Sequence, residues 1–161
     1  PKDPEVYHLA DTSRRSYQWM IGESLLATPL YGADYATANS RDVYLPEGKW
    51  MDYESGEIFE GPTILDSYDL PLDKVPIFVG VKGIVIEQKD EVLKARIYPL
   101  AQNVEVTFTD KDGLRSSTIS IGEPDWKSPK VSTASTEEVN YELVNHAYEF
   151  TLVPGQNYSI Y

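Results

Sequence analysis

The residues able to do acid–base or metal chemistry are scattered along the chain. His8 and His146 are its only histidines. They lie 138 positions apart with no ligand spacing around either, so neither a zinc site nor a Ser-His-Asp arrangement is indicated. Asp90-Glu91 and Glu137-Glu138 are adjacent acidic pairs. In a strand, neighbouring side chains leave on opposite faces, so neither pair works as an acid/base couple, and both read as solvated charges. Asp110 and Asp112 flank Lys111 and precede Gly113. Two carboxylates there have calcium-ligand chemistry, but a calcium loop spreads its ligands over about 12 residues, and a hairpin turn accounts for the same pattern. No residue is assigned to catalysis, and no metal site or cofactor is expected.

The remaining candidates are aromatic. Trp50 and Tyr53 together have the chemistry of a platform that stacks on a pyranose face; the competing place for them, and the preferred one, is a β-sheet core. Trp126 stands in the polar segment Gly122-Glu123-Pro124-Asp125-Trp126-Lys127, where burial is harder to arrange. It is the stronger candidate for contact with a sugar or a partner, against the reading of a plug over the end of a β-sandwich.

Composition bounds what elements can position these residues. At 161 residues and without cysteine, the chain buries enough surface to fold without disulfide or metal staples. The missing cysteines exclude thiol catalysis and thiolate metal sites but leave the redox compartment open. Fourteen basic residues against 26 acidic ones give a net charge of −12. With no basic stripe, nucleic acid is not an expected partner. No apolar run approaches the roughly 20 residues of a membrane helix and no signal-like segment opens the chain, so no membrane partner is expected. The opening Pro1, with no Met, reads as a mature product or a piece of something longer.

Twelve Tyr, three Trp and four Phe, set among 11 Pro and 10 Gly, predict short strands joined by turns, a mainly β antiparallel sandwich. The first 33 residues differ. Asp11-Thr12-Ser13 caps an expected short helix running through Met20 and ended by Gly22, followed by the apolar run Ser24–Tyr31, suited to a strand covered on both faces. From Arg41 the spacing predicts a compact meander: Val43 and Leu45 run into a turn at Pro46-Glu47-Gly48, the chain returns through Trp50–Tyr53, and Ile58–Glu60 ends before Gly61-Pro62. Ile77-Phe78-Val79 and Ile84-Val85-Ile86 are expected core strands. Val104–Phe108 and Ile119–Ile121 read as a hairpin around Asp110–Gly113, and Tyr148, Phe150 and Leu152 as one face of a strand. Pro124–Glu138, rich in Ser, Thr, Lys and Pro, is expected to be an exposed loop.

Four consecutive stretches resemble glycoside hydrolase family 31, the α-glucosidase and α-xylosidase family. Tyr17-Gln18-Trp19-Met20-Ile21-Gly22-Glu23-Ser24-Leu25-Leu26-Ala27-Thr28-Pro29 is similar to the segment around the last strand of that family's (β/α)8 barrel. Arg41-Asp42-Val43-Tyr44-Leu45-Pro46-Glu47-Gly48-Lys49-Trp50-Met51-Asp52-Tyr53 is similar to the opening of its C-terminal β-sandwich. Ser55-Gly56 with Glu60-Gly61, and then Pro71-Leu72-Asp73-Lys74-Val75-Pro76-Ile77-Phe78-Val79, continue the likeness in order and spacing. It covers roughly residues 3–86; beyond them only Tyr98-Pro99 and Phe108–Gly113 resemble the family. Glu23 replaces the family's usual aspartate, Thr28 its valine or alanine, and Gly80-Val81-Lys82-Gly83 lacks its arginine.

The resemblance implies a division into a barrel remnant, residues 1–33, and a β-sandwich domain, 34–161, with a possible sub-division near 88. It also implies a parent that is a retaining α-glycosidase, whose two aspartates stand about 5 Å apart on earlier barrel strands. No position here matches either motif, so the chain alone is expected to be inactive. Its expected role is non-catalytic: stabilising the barrel of the same polypeptide, which is the expected partner. The alternative is a carbohydrate-binding module with its own affinity for α-linked oligosaccharides, carried by Trp126, Trp50 and Tyr53. The family further implies a periplasmic or extracellular bacterial setting.

Overall fold

The computed structural model describes residues 18–29, 39–69, 74–80 and 82–161, and among these every regular element is a strand. The mainly β expectation holds. The chain divides into two compact units, Pro1–Val81 and Lys82–Tyr161.

The first unit carries one five-stranded sheet in the order β1-β2-β5-β3-β4, antiparallel throughout, built from β1 (Trp19–Ile21), β2 (Leu25–Ala27), β3 (Ser40–Asp52), β4 (Ile58–Asp69) and β5 (Ile77–Gly80). Of the expected helix, 11–17 lie outside the described residues, and the rest is corrected. Trp19 and Met20 are extended and pair with Ala27 and Leu26 across a tight reversal at Gly22–Ser24. Leu25–Ala27 is a strand as expected, but its neighbours are antiparallel on both sides, so it serves an antiparallel sheet here.

The expected meander is also corrected. Pro46-Glu47-Gly48 does not turn; β3 passes straight through it with a register shift between Leu45 and Gly48, and a second shift falls between Arg41 and Val43. Across the first shift, β4 continues through Gly61-Pro62 where the sequence suggested a stop. Pro62 falls in the gap between the pairs Leu45↔Thr63 and Gly48↔Gly61, on an edge strand where no ladder donor is required. Gly61 is required there: a Cβ on it would lie 1.8 Å from the Pro46 carbonyl oxygen. The bulges bend the hairpin. Phe59 and Tyr68 are nine positions apart on β4, roughly 30 Å in a straight strand, yet their rings meet edge to face at 6.5 Å. Both also pack on Phe78 of β5, at 6.1 and 5.2 Å. The core of this unit is Leu26, Val43, Leu45, Trp50 and Phe78, covered by Phe59, Leu65 and Tyr68.

The second unit is a sandwich of two four-stranded sheets, β11-β12-β7-β6 and β10-β13-β9-β8. Its strands are β6 (Ile84–Lys89), β7 (Val92–Ile97), β8 (Val104–Thr109), β9 (Ser116–Ile121), β10 (Val131–Thr133), β11 (Glu142–Val144), β12 (Ala147–Leu152) and β13 (Tyr158–Ile160). One apolar cluster draws on both sheets: Ala95, Ile97, Phe150 and Leu152 from one, Ile119, Ile121, Val131, Tyr158 and Ile160 from the other. The β8–β9 hairpin forms in the expected register, Val104↔Ile121 to Thr109↔Ser116. β13 runs parallel to β9, an exception to the antiparallel expectation, because the chain leaves β12 in one sheet and crosses to the other before pairing.

Two loop readings are corrected. Val131–Thr133, inside the expected exposed loop, forms β10: all three residues are buried and pair with Tyr158–Ile160. Their hydroxyl groups do not oppose burial, since Thr133 Oγ1 bonds Ser135 and accepts the Glu137 N–H. Asp90-Glu91 does not lie in a strand but forms the reversal between β6 and β7, with Asp90 at φ +55°. β11 and β12 are joined by Asn145 and His146, both at positive φ, the geometry of a two-residue type I′ turn.

Candidate functional site

The aromatic candidates separate. Trp50 is fully buried, its Nε1 donating to the Pro46 carbonyl at 2.8 Å. Gly80 lies flat against its ring, where a Cβ would come within 2.2 Å of Cε3. Trp50 therefore occupies the core position preferred for it, with no ring face left for a ligand. Tyr53 is half-buried in the β3–β4 turn, its backbone N–H on the Ile77 carbonyl at 2.9 Å. Trp50 and Tyr53 belong to the first unit and Trp126 to the second.

Trp126 is half-buried against the sandwich core. Its ring stacks on Tyr148 at 5.7 Å with 24° between planes, and the Tyr148 hydroxyl donates to the Trp126 carbonyl. Burial pushes the Tyr148 phenol above its usual range, with Tyr141 and Asp125 adding to it. Tyr148 in turn meets Tyr141 edge to face at 5.3 Å, so three aromatic rings run in a row. The Trp126 indole N–H is buried without an acceptor among the described residues.

The far end of that row opens on a cleft of about 310 Å³, lined by Lys94, Asn140, Tyr141, Glu142, Glu149, Phe150 and Thr151. Strand register makes it. On β12, Tyr148, Phe150 and Leu152 face the core, which sends Glu149 and Thr151 to the opposite face. Glu149 pairs with Glu142 on β11 and with Arg96 on β7, and Thr151 pairs with Lys94. Glu149 is only 7% exposed although its strand position points outward. Lys94 Nζ donates to its Oε1 and Arg96 Nε to its Oε2 at 2.8 Å, while Arg96 also reaches Glu87 at 3.5 Å. The Lys94 and Arg96 hydrogen bonds hold the Glu149 carboxyl below the usual carboxylate range against the opposing effect of burial. The spacing of Lys94, Asn140 and Glu149 carries no motif; they meet only through pairing of β7, β12 and β11.

The other perturbed carboxylates serve their own turns. Burial alone would raise Asp52, but the Ser55 N–H at 2.7 Å, the Tyr68 hydroxyl and the Glu54 N–H at 2.9 Å outweigh it and hold the carboxyl low. Asp110 likewise accepts from the Leu114 and Arg115 N–H groups and from Arg115 Nε at 3.0 Å, so it closes the β8–β9 hairpin. No group of three or more His, Asp or Glu among the described residues is placed to hold a metal ion.

Residues 1–85 match the Glycosyl hydrolase family 31 C-terminal domain. Two relatives extend the likeness. A 1,6-alpha-glucosyltransferase from Sporosarcina globispora is 32% identical over 124 residues, 70% of this chain and 9% of that protein. An alpha-glucosidase from Saccharolobus solfataricus is 30% identical over 91 residues, 56% of this chain and 11% of that protein. The chain thus spans about a tenth of the relatives it matches. Among solved structures, the cycloalternan-forming enzyme from Listeria monocytogenes, in complex with a pentasaccharide substrate, matches with a TM-score of 0.61 and 18% identity over 94% of this chain and 20% of that one; at this identity the likeness concerns the fold.

Proposed function

Because this chain belongs to the Glycosyl hydrolase family 31 C-terminal domain family, we propose that it is the non-catalytic β region of an α-glycosidase, bracing the catalytic barrel and acting on no substrate itself. The observation that carries the reading is the match of residues 1–85 to the Glycosyl hydrolase family 31 C-terminal domain. Relatives named as an alpha-glucosidase and a 1,6-alpha-glucosyltransferase support α-glucosides as the parent's substrate class. The buried packing of the first unit around Trp50 and Phe78 suits a brace, since a close-packed apolar core transmits strain where a loose one would yield.

The test has two arms. The 161-residue chain is incubated with 4-nitrophenyl α-glucoside and α-xyloside and with maltose and isomaltose; no turnover is expected, and hydrolysis that persists after repurification overturns the reading. In a longer polypeptide that carries this chain, Trp50→Ala should lower the temperature of activity loss while leaving KM for the glucoside unchanged. A changed KM with unchanged thermal behaviour would place the region at the substrate instead.

A further inference from the structure

We infer that the cleft beside β11 and β12 is a binding site for a neutral oligosaccharide, with Asn140, Tyr141, Lys94 and Thr151 contacting the sugar and Glu149 holding Lys94 in place. The inference goes beyond the bracing role, which stands with or without it; only the choice of an α-linked glucan as ligand rests on the proposed function.

Three observations carry it. The first is Glu149. An outward-facing carboxylate on a sheet surface can remain in water at no cost, yet this one is nearly covered and fixed by two cations. Lys94 is 43% and Arg96 24% exposed, so water screens the pair and its net gain over an apolar packing is small; its rigidity is the property left to explain. It aims Lys94, whose ammonium has three donors and spends one on Glu149, along the cleft wall.

The second observation is the charge of the cluster. With Glu87 on Arg96, the cluster holds three carboxylates against two cations, which disfavours a phosphate, and no three of its acids are placed to hold a metal ion. The cleft favours an uncharged ligand able to use many fixed donors and acceptors, and ionised groups make the strongest hydrogen bonds to hydroxyls. Asn140 and Thr151 each supply both a donor and an acceptor at the exposed rim. The third is Tyr141, a half-buried aromatic residue of the cleft lining whose ring Tyr148 fixes edge to face. A cleft of about 310 Å³ lies at the lower end of small-ligand sites, enough for a short stretch of a sugar chain.

The experiment is calorimetric titration of the 161-residue chain with maltotriose, isomaltotriose and cellotriose, repeated with Asn140→Ala, Thr151→Val and Lys94→Met. Asn140 and Thr151 are exposed, and circular dichroism checks that each variant folds. Saturable binding is expected for an α-linked trisaccharide. Each variant should weaken it about tenfold, the loss of one hydrogen bond to a fixed polar group. Binding to cellotriose alone, weakened by the same variants, would uphold the cleft and overturn the α-linked ligand. No saturable binding to any of the three, or binding that all three variants leave unchanged, overturns the site and leaves the bracing role as it was.

Discussion

Tyr68 donates its phenolic hydrogen to the carboxylate of Asp52, joining the two ends of a hairpin that would lie far apart were it straight. Tyr68 pairs with Arg41 at one end of the β3–β4 ladder, whereas Asp52 closes the other end just before the turn. The bond exists because two register shifts bend the hairpin back on itself, and it makes the bend cooperative with the Glu54–Ser55 turn that Asp52 also caps.

Tyr68→Phe should cost about 1.5–3 kcal/mol, the range for a hydrogen bond to a charged group. The pH dependence has two sides. Asp52 is held below its ordinary value in the folded chain, so its contribution is complete above about pH 4 and is lost as pH falls through the folded value. Tyr68 is pushed up, by burial first and by the Asp52 carboxylate next. Its contribution is complete below about pH 10 and is lost as pH rises further. Thermal melts followed from pH 2 to 11 should show both slopes in the parent and a shallower alkaline slope in the variant. Equal alkaline slopes would mean that the pair does not couple the two ends.

Gly61→Ala tests the bend itself. The added Cβ meets a backbone carbonyl, which cannot swing aside as the end of a side chain can. We expect a loss of 3 kcal/mol or more, at or beyond the roughly 1–3 kcal/mol of ordinary overpacking, read as a fall in the urea midpoint of the first unit with Trp50 fluorescence as the probe. A loss below about 1 kcal/mol would mean that β4 stands off from Pro46.

Glu149→Gln removes the charge that Lys94 and Arg96 enclose. The folded carboxyl is held low, so its stabilising effect is present above about pH 4.3 and fades as pH falls through the folded value. At pH 7 the variant should lose about 1–2 kcal/mol, discounted because Lys94 is 43% exposed and water screens it. As pH falls through the folded value, the variant and parent should converge. A difference that stays constant as the pH is lowered until the parent unfolds would assign the effect to packing rather than charge.

What was legible in the sequence was whatever a residue's near neighbours decide. The alternation Val104-Glu105-Val106-Thr107-Phe108 sets its own faces, and Asp110–Gly113 supplies its own turn, so β8 and β9 form as read. Trp50 was readable as core because the stretch around it resembles a strand of the family 31 C-terminal sandwich. Pro46-Glu47-Gly48 has turn composition, but a triplet of that kind turns or bulges according to the strand laid against it. That strand brings Gly61-Pro62, which the local pattern marks only as a stop. The cleft was the least legible feature. Glu149 and Thr151 are ordinary outward residues of an alternating strand, and nothing in their spacing announces that Lys94 and Arg96 will stand beside them.

The same reasoning makes β10 a sharp test. Val131–Thr133 lies in a polar, proline-flanked stretch with no alternation longer than a residue pair, yet it is an edge strand whose three residues are buried against β13. Val131 is 2% exposed within the sandwich core, so Val131→Ala should cost about 2–3 kcal/mol, as for other large-to-small core changes. Hydrogen exchange gives an independent reading. The Thr133 N–H bonds the Glu137 carbonyl and the Ala134 N–H bonds the Asn157 carbonyl, both at about 3.0 Å. These amides should exchange far more slowly than those of the exposed residues Glu123 and Lys127. Uniformly fast exchange from residue 123 to 138, with a mild effect of Val131→Ala, would return the stretch to an exposed loop and leave Ile160 paired on one side only, with Ile121 of β9.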